Sequence, residues 1–146
     1  MIRALLDANI YVSYLLTRGA SGTVAQVVRW AINGVYIPLL PAELLQEMQE
    51  VIARKKTLSS KIKPEDVWAL TSVLLQIGEQ IPPVREEVDA VSRDPRDTYL
   101  LAYAVVAQAD YLVTGDMDLL VLDPVGPVRI VRPADFLDIL SQQLHS

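Results

Sequence analysis

Short apolar runs alternate with longer amphipathic stretches along this chain. Met1–Leu6 is apolar apart from Arg3 and ends in Asp7-Ala8-Asn9. It reads as a buried strand with polar residues at its carboxyl end. Ile10–Leu16 is mixed and reads as a short helix. Ser21 or Thr23 can cap a helix running to about Asn33, which Gly34 stops. Val35–Leu40 reads as a second buried strand. Pro41 suits a first helical position, with helical period continuing to about Lys56. Arg54 to Lys63 reads as a basic connection. Pro64-Glu65-Asp66 opens a helix whose apolar residues Val67, Leu70, Val73, Leu74, Ile77 and Ile81 keep helical rhythm until Pro82-Pro83. A short strand is expected within Val84–Val91. Asp94-Pro95 precedes a largely apolar, buried helix from about Arg96 to Gln108. Tyr111–Thr114 reads as a strand ending at Gly115-Asp116, Val128–Val131 as another, and Pro133 starts a final helix through Leu140.

Strands joined by helical crossovers imply a parallel sheet covered on both faces. Right-handed crossovers make this α/β chain a three-layer α/β/α sandwich with a central, mostly parallel sheet. A length of 146 residues fits one domain spanning 1–146, and no shift in composition suggests a boundary.

Composition then narrows the chemistry. The chain has no cysteine, which excludes disulfide scaffolds, thiol nucleophiles and iron–sulfur sites. Its one histidine, His145, stands second from the end. Histidine-ligated zinc, two-histidine ribonuclease chemistry and a Ser-His-Asp triad therefore lose their key residue. Chemistry is left to carboxylates, hydroxyls, amides and Lys/Arg. The net charge of −5 disfavours non-specific polyanion binding but suits a cluster of acids awaiting a divalent cation. A mean hydropathy of +0.27 predicts an apolar surface covered by a partner, with a homodimer as one solution. No apolar run reaches the roughly 18 residues of a membrane span. Asp7 follows Arg3 too soon for a signal peptide, so a cytoplasmic protein without membrane attachment is the expectation.

Ligands of open parallel α/β sheets bind beyond the carboxyl ends of the strands. Asp7 and Asp116 sit at such ends, and Asp97 lies in the first turn of the buried helix before the second of them. If the first strand is central, these three carboxylates converge on one edge. Along the helix from Pro41, Leu44, Leu45, Met48, Val51 and Ile52 fill an arc of about 80–200° when Glu43 is set to 0°. Glu47 falls beside that arc at about 40°, so it is the glutamate expected to face the protein, with Glu43 and Glu50 as solvent acids. Four carboxylates sharing a pocket need a counterion. Hard oxygen ligands without His or Cys select Mg²⁺ or Mn²⁺, which points to metal-assisted phosphodiester hydrolysis. Arg93 and Arg96, next to these acids, are candidates for substrate phosphates. The cluster Arg54, Lys55, Lys56, Lys61 and Lys63 reads either as a solvated helix end or as a phosphate-tracking patch for RNA.

Four segments together resemble the PIN domain, the metal-dependent nuclease fold of many prokaryotic toxin–antitoxin toxins, including the VapC-like ones. They are Leu6-Asp7-Ala8-Asn9, Leu44 to Val51, Asp94-Pro95-Arg96-Asp97 with Leu100-Leu101-Ala102, and Ala109 to Leu120, the last being the most specific. The resemblance spans nearly the whole chain in the family's order. It implies catalytic, metal-holding acids at Asp7, Glu47, Asp97 and Asp116, with Asp118 as an auxiliary ligand. It also implies Asn9 as a polar neighbour of Asp7 and Thr114 as a hydroxyl orienting the site. By the same resemblance the substrate is RNA and an antitoxin protein is the expected partner. The competing expectation is a non-catalytic module of the same fold that binds RNA or protein without cutting. A phosphatase acting on small phosphoesters is a further rival. A phosphoacceptor receiver domain fits poorly, since it needs an acidic pair near the start and a lysine at a late strand end.

Overall fold

The computed structural model describes residues 1–17, 22–84 and 95–145, and side chains are described for all of these except 95–98. Among the described residues the elements run β1 (Arg3–Leu6), α1 (Ala8–Thr17), α2 (Thr23–Ile32), β2 (Ile37–Pro41), α3 (Leu44–Arg54), α4 (Lys56–Lys61) and α5 (Pro64–Ile77). They continue with β3 (Glu79–Ile81), α6 (Pro95–Val106), β4 (Tyr111–Val113), α7 (Met117–Leu120), β5 (Arg129–Val131) and α8 (Pro133–Leu144). The five strands form one sheet in the order β3-β2-β1-β4-β5. Every pairing is parallel, with Leu5 opposite Leu39, Leu6 opposite Val113 and Val113 opposite Val131. The α/β/α sandwich is thus present, and its sheet is wholly parallel. No helix among the described residues is long and apolar enough to cross a membrane.

The two-residue repeat of a strand explains the layers. Ala4 and Leu6 enter one core with Val27, Val28, Leu40, Met48, Leu74, Phe136 and Leu140, under α1, α2, α3, α5 and α8. Leu5 points the other way and joins Leu39, Leu112 and Ile130 beneath α6 and Leu119 of α7. Across the first core, Tyr36 meets Phe136 edge-on at 4.9 Å, and its hydroxyl donates to the Val27 carbonyl at 2.8 Å.

Arg3, the one charge in the first apolar run, has structural work at the amino edge of the sheet. Its guanidinium pairs with Glu79 of β3. It also donates to the carbonyls of Ala107 and Gln108 at 2.8 and 3.0 Å, where α6 turns into β4 with Gln108 at φ 56°.

Several boundaries differ from the sequence reading. Pro41 does not start a helix; it closes β2, paired with Ile81, because a fixed φ also suits the end of a strand. The basic connection contains the six-residue α4, which buries no residue of its own, so no apolar period marked it. The helix through Val67 and Leu70 ends at Ile77 rather than near Ile81. The four-residue step from Ile77 to Ile81 matches helical spacing by coincidence, and Ile81 belongs to the second core. The strand expected within Val84–Val91 falls mainly outside the described residues, and the strand of that region lies earlier, at Glu79–Ile81. Ser21 also lies outside them. The short helix α7 was not foreseen.

Gly78 shows why α5 stops where it does. Its N–H still donates to the Leu74 carbonyl at 2.8 Å, but its backbone is extended. A Cβ there would lie 2.7 Å from the Pro38 carbonyl oxygen and 2.8 Å from Leu40 Cδ1. The absent side chain therefore lets α5 turn directly onto the edge of β2. Gly78→Ala is expected to destabilise the fold by about 1–3 kcal/mol, measured by urea unfolding, whereas Gly115→Ala, with nothing within 4 Å of the new Cβ, is expected to cost much less.

Candidate active site

The sheet order reverses at β1: the chain leaves it towards β2 and later returns on its other side as β4. Such a switch point leaves a crevice beyond the carboxyl ends of the two strands, since the connections diverge. The ladder runs one residue past each strand here. Asp7 N–H donates to the Val113 carbonyl, and Thr114 N–H to the Val131 carbonyl, both at 3.0 Å. Asp7 and Thr114 are therefore held side by side at the crevice by backbone bonds.

Their side chains continue that link. Thr114, fully buried, donates its hydroxyl to Asp7 Oδ2 at 2.9 Å. Asp7 Oδ1 accepts from the Asn9 N–H at 3.0 Å, which caps the start of α1. The Thr114 hydroxyl in turn accepts from the Asp116 N–H at 3.1 Å. Asp116 caps α7, its Oδ1 accepting from the Asp118 N–H at 2.9 Å. One hydroxyl thus connects two loops and two acids. Asp7 is only 6% exposed, and among the described residues no lysine or arginine neutralises it. A buried carboxylate is costly unless its charge is compensated. Two donors satisfy part of its acceptor capacity and leave room for a hard cation.

The other expected residues are placed differently. Asn9 reaches Asp7 through its backbone, and its side chain is exposed. Asp118 is exposed beside Asp116. Glu47 is half-buried on α3 and belongs to a second group. There, Tyr103 of α6 donates its hydroxyl to Glu43, and the Tyr99 and Tyr103 rings meet edge-on at 4.9 Å. Burial first, then the charges of Glu43 and Glu47, push the Tyr99 hydroxyl well above its ordinary pKa. Glu43 is consequently not a solvent acid: the apolar arc of α3 located its main core face but not the neighbouring sector covered by α6. Glu50 is exposed and accepts a bond along its own helix from Gln46 at 3.2 Å. Arg93 and the side chains of Arg96 and Asp97 lie outside the described residues, although the backbone of Asp97 is in the first turn of α6. Among the described residues no three acids stand close enough to form a metal-holding group.

Arg132 is not among the candidates drawn from the sequence. It follows Val131 of β5, beside Thr114, and its guanidinium lies 3.0 Å from the sulfur of Met117, between Asp116 and Asp118 in sequence. Among the described residues it meets no carboxylate. Its place directly after the strand Val128–Val131, at a carboxyl strand end, was the signal that could have found it.

Two consequences are measurable. Thr114→Val keeps the shape but removes the hydroxyl from a buried charge, with an expected cost of about 1.5–3 kcal/mol in unfolding experiments. Tyr103 is pushed up to about 12, by burial and then by its bond to Glu43. The unfolded chain releases that proton first, near the ordinary value of 10.0. Stability supplied by this group is therefore complete below pH 10 and declines as pH rises towards 12. Tyr103→Phe should flatten that part of the alkaline stability profile.

A family model described as PIN domain matches residues 3–118. The match begins on β1 and ends at Asp118, so it contains the switch point and both of its acids. No curated protein matches the chain at a significant level. With most of its length matched and the parallel sheet in place, this chain belongs to the PIN-domain family, a nuclease fold whose members commonly cleave RNA with divalent metals.

Proposed function

We propose that this protein is a Mg²⁺- or Mn²⁺-dependent endoribonuclease, the toxin of a toxin–antitoxin pair working in the cytoplasm. The observation that carries the reading is the Asp7 carboxylate, buried at the switch point without a cationic partner among the described residues. The donor set fits a hard cation, being all oxygen with no His or Cys in reach. Asp7 and Asp116 would hold the ion, with Asp97, Glu47 and Asp118 as the further acids that the family pattern implies. When bound, it would supply Lewis acidity towards phosphate oxygens and a lowered pKa for water.

The chain's own groups do the positioning. Thr114 and the Asn9 N–H fix the orientation of Asp7, so the carboxylate needs no rearrangement when a cation arrives. The Asp116 N–H is tied to the same hydroxyl, which sets the spacing of the two acids. Arg132 would contact a phosphate of the RNA backbone; a guanidinium suits that role through its paired donors. Arg93 and Arg96 are kept as further phosphate contacts. The toxin role and the antitoxin partner rest on the resemblance through Asp94-Pro95-Arg96-Asp97 and the long helical region before it. A small upstream reading frame whose product suppresses the activity on co-expression is the matching test.

The non-catalytic reading also has an observation behind it, because Asp7 and Asp116 both cap helices and would be useful for that alone. A nuclease assay separates the two. Asp7→Asn retains a capping oxygen but loses the charge, and is expected to lower RNA cleavage by about 100-fold or more with little change in thermal stability. EDTA should abolish cleavage, and Mg²⁺ or Mn²⁺ should restore it. Wild-type cleavage rates from Asp7→Asn, or no metal-dependent cleavage by the wild type, would defeat the enzymatic reading. Arg132→Ala is expected to raise KM for RNA about tenfold with a smaller effect on kcat, and to weaken the dependence of KM on salt.

A further inference from the structure

Asp7 and Asp116 stand at strand ends, where backbone bonds fix their spacing. Glu47, which the proposed reading also assigns to the cation, stands on a helix. α3 packs on the first core through Leu44, Met48 and Ile52, and no strand ladder reaches Glu47. Its place relative to the other acids therefore depends on how the start of α3 is fixed.

Glu43 occupies the position just before α3. A polar side chain there often turns back onto the first turn of its own helix, but Glu43 makes no such bond. Its carboxylate instead reaches the other layer of the sandwich and accepts from the Tyr103 hydroxyl on α6. Tyr103 is 2% exposed, so this end of the bond is anchored in the second core. The backbone of Val84, beyond β3, and of Ala42, just after β2, also hydrogen-bonds that hydroxyl. One phenol thus ties α6 to the carboxyl ends of β2 and β3, as the Thr114 hydroxyl ties the ends of β1 and β4. The link passes on to Glu47 through the backbone, since the Glu47 N–H donates to the Glu43 carbonyl at 2.9 Å. Both glutamates are half-buried, whereas Gln46, Gln49 and Glu50 of the same helix are exposed. Tyr99 packs edge-on against Tyr103, and its hydroxyl is closed off from solvent within the field of both glutamates. Like charges one helical turn apart repel, and a donor on Glu43 disperses part of that charge.

We propose that Glu43 is a positioning residue for Glu47: held by Tyr103, it fixes where α3 presents Glu47 to a divalent cation, without ligating the ion itself. The inference rests on the metal-dependent reading above, which gives Glu47 to the cation, and adds the pair of side chains that fixes that acid. Its bond can be broken without altering any acid assigned to the ion.

The probe is Mn²⁺ alone, its binding to the full chain followed by electron paramagnetic resonance of the unbound ion. Glu43→Ala and Tyr103→Phe should each weaken Mn²⁺ binding by about tenfold or more. The double variant E43A/Y103F should weaken it no further, since both changes remove one bond. Glu43→Gln keeps an oxygen that accepts from Tyr103 and should recover most of the loss seen with Glu43→Ala. Circular dichroism and the metal-free melting temperature check that each variant is folded, and the Glu43 variants, at a half-buried position, carry the test if Tyr103→Phe does not fold. Wild-type affinity in Glu43→Ala would overturn the inference. So would a loss in Glu43→Gln as large as in Glu43→Ala, which would make Glu43 a ligand through its charge. Additive losses in the double variant would also overturn it, because the two residues would then act separately. Absence of Mn²⁺ binding by the wild type would remove the metal-dependent reading together with this inference. Binding that Asp7→Asn abolishes and Glu43→Ala leaves intact would remove this inference alone.

Discussion

The hydrogen bond from the Thr114 hydroxyl to Asp7 ties together what the rest of the molecule arranges. It joins neighbouring strands that are more than a hundred residues apart in sequence, at the point where the sheet changes direction. Without it, a carboxylate lies almost fully buried with a single backbone donor. With it, the charge is oriented, and the same oxygen holds the backbone of Asp116. The parallel register is what makes the bond possible, because it brings Leu6 level with Val113 and leaves the next residue of each strand at the same height.

The unequal layers have a functional side. Five helices cover one face of the sheet, whereas α6 and α7 cover the other among the described residues. Both of these helices come from the loops flanking β4, so the layer that closes the second core also delivers acidic residues to its edge. Tyr103 of α6, packed against Tyr99, holds the start of α3 through its hydrogen bond to Glu43. The described acids thus fall into two separately organised groups, Asp7 with Asp116 at strand ends and Glu43 with Glu47 on α3 and its start.

Capping and chemistry draw on the same atoms. A carboxylate at a strand end is already aimed at the N–H groups of the following helix, as Asp7 is at Asn9 and Asp116 at Asp118. Each cap engages one oxygen. At Asp7 the second oxygen is engaged by Thr114, which explains why that threonine is buried while Gly115, the next residue, is exposed. Local helix formation and presentation of negative charge to the crevice are therefore compatible demands.

Four strands, β1, β2, β4 and β5, were legible because each lies in a short, largely apolar run and a parallel sheet buries both faces of such runs; β3, Glu79-Gln80-Ile81, is no such run and was expected further along the chain. That also made Asp7 and Asp116 legible, since strand ends in this architecture face the ligand side. Ile81 was misread because a four-residue spacing is common to a helix and to a helix followed by a strand. Glu43 was misread because a helical wheel shows one apolar sector and cannot show a second element covering its flank. Pro41, α4 and Arg132 carried no periodic signal at all. Alternation of apolar period, a local property, determined the layered α/β/α plan and the candidate acids from sequence alone. Which side chains meet was decided by strand order and register, because those bring together residues whose separation along the chain contains no information about their distance in space.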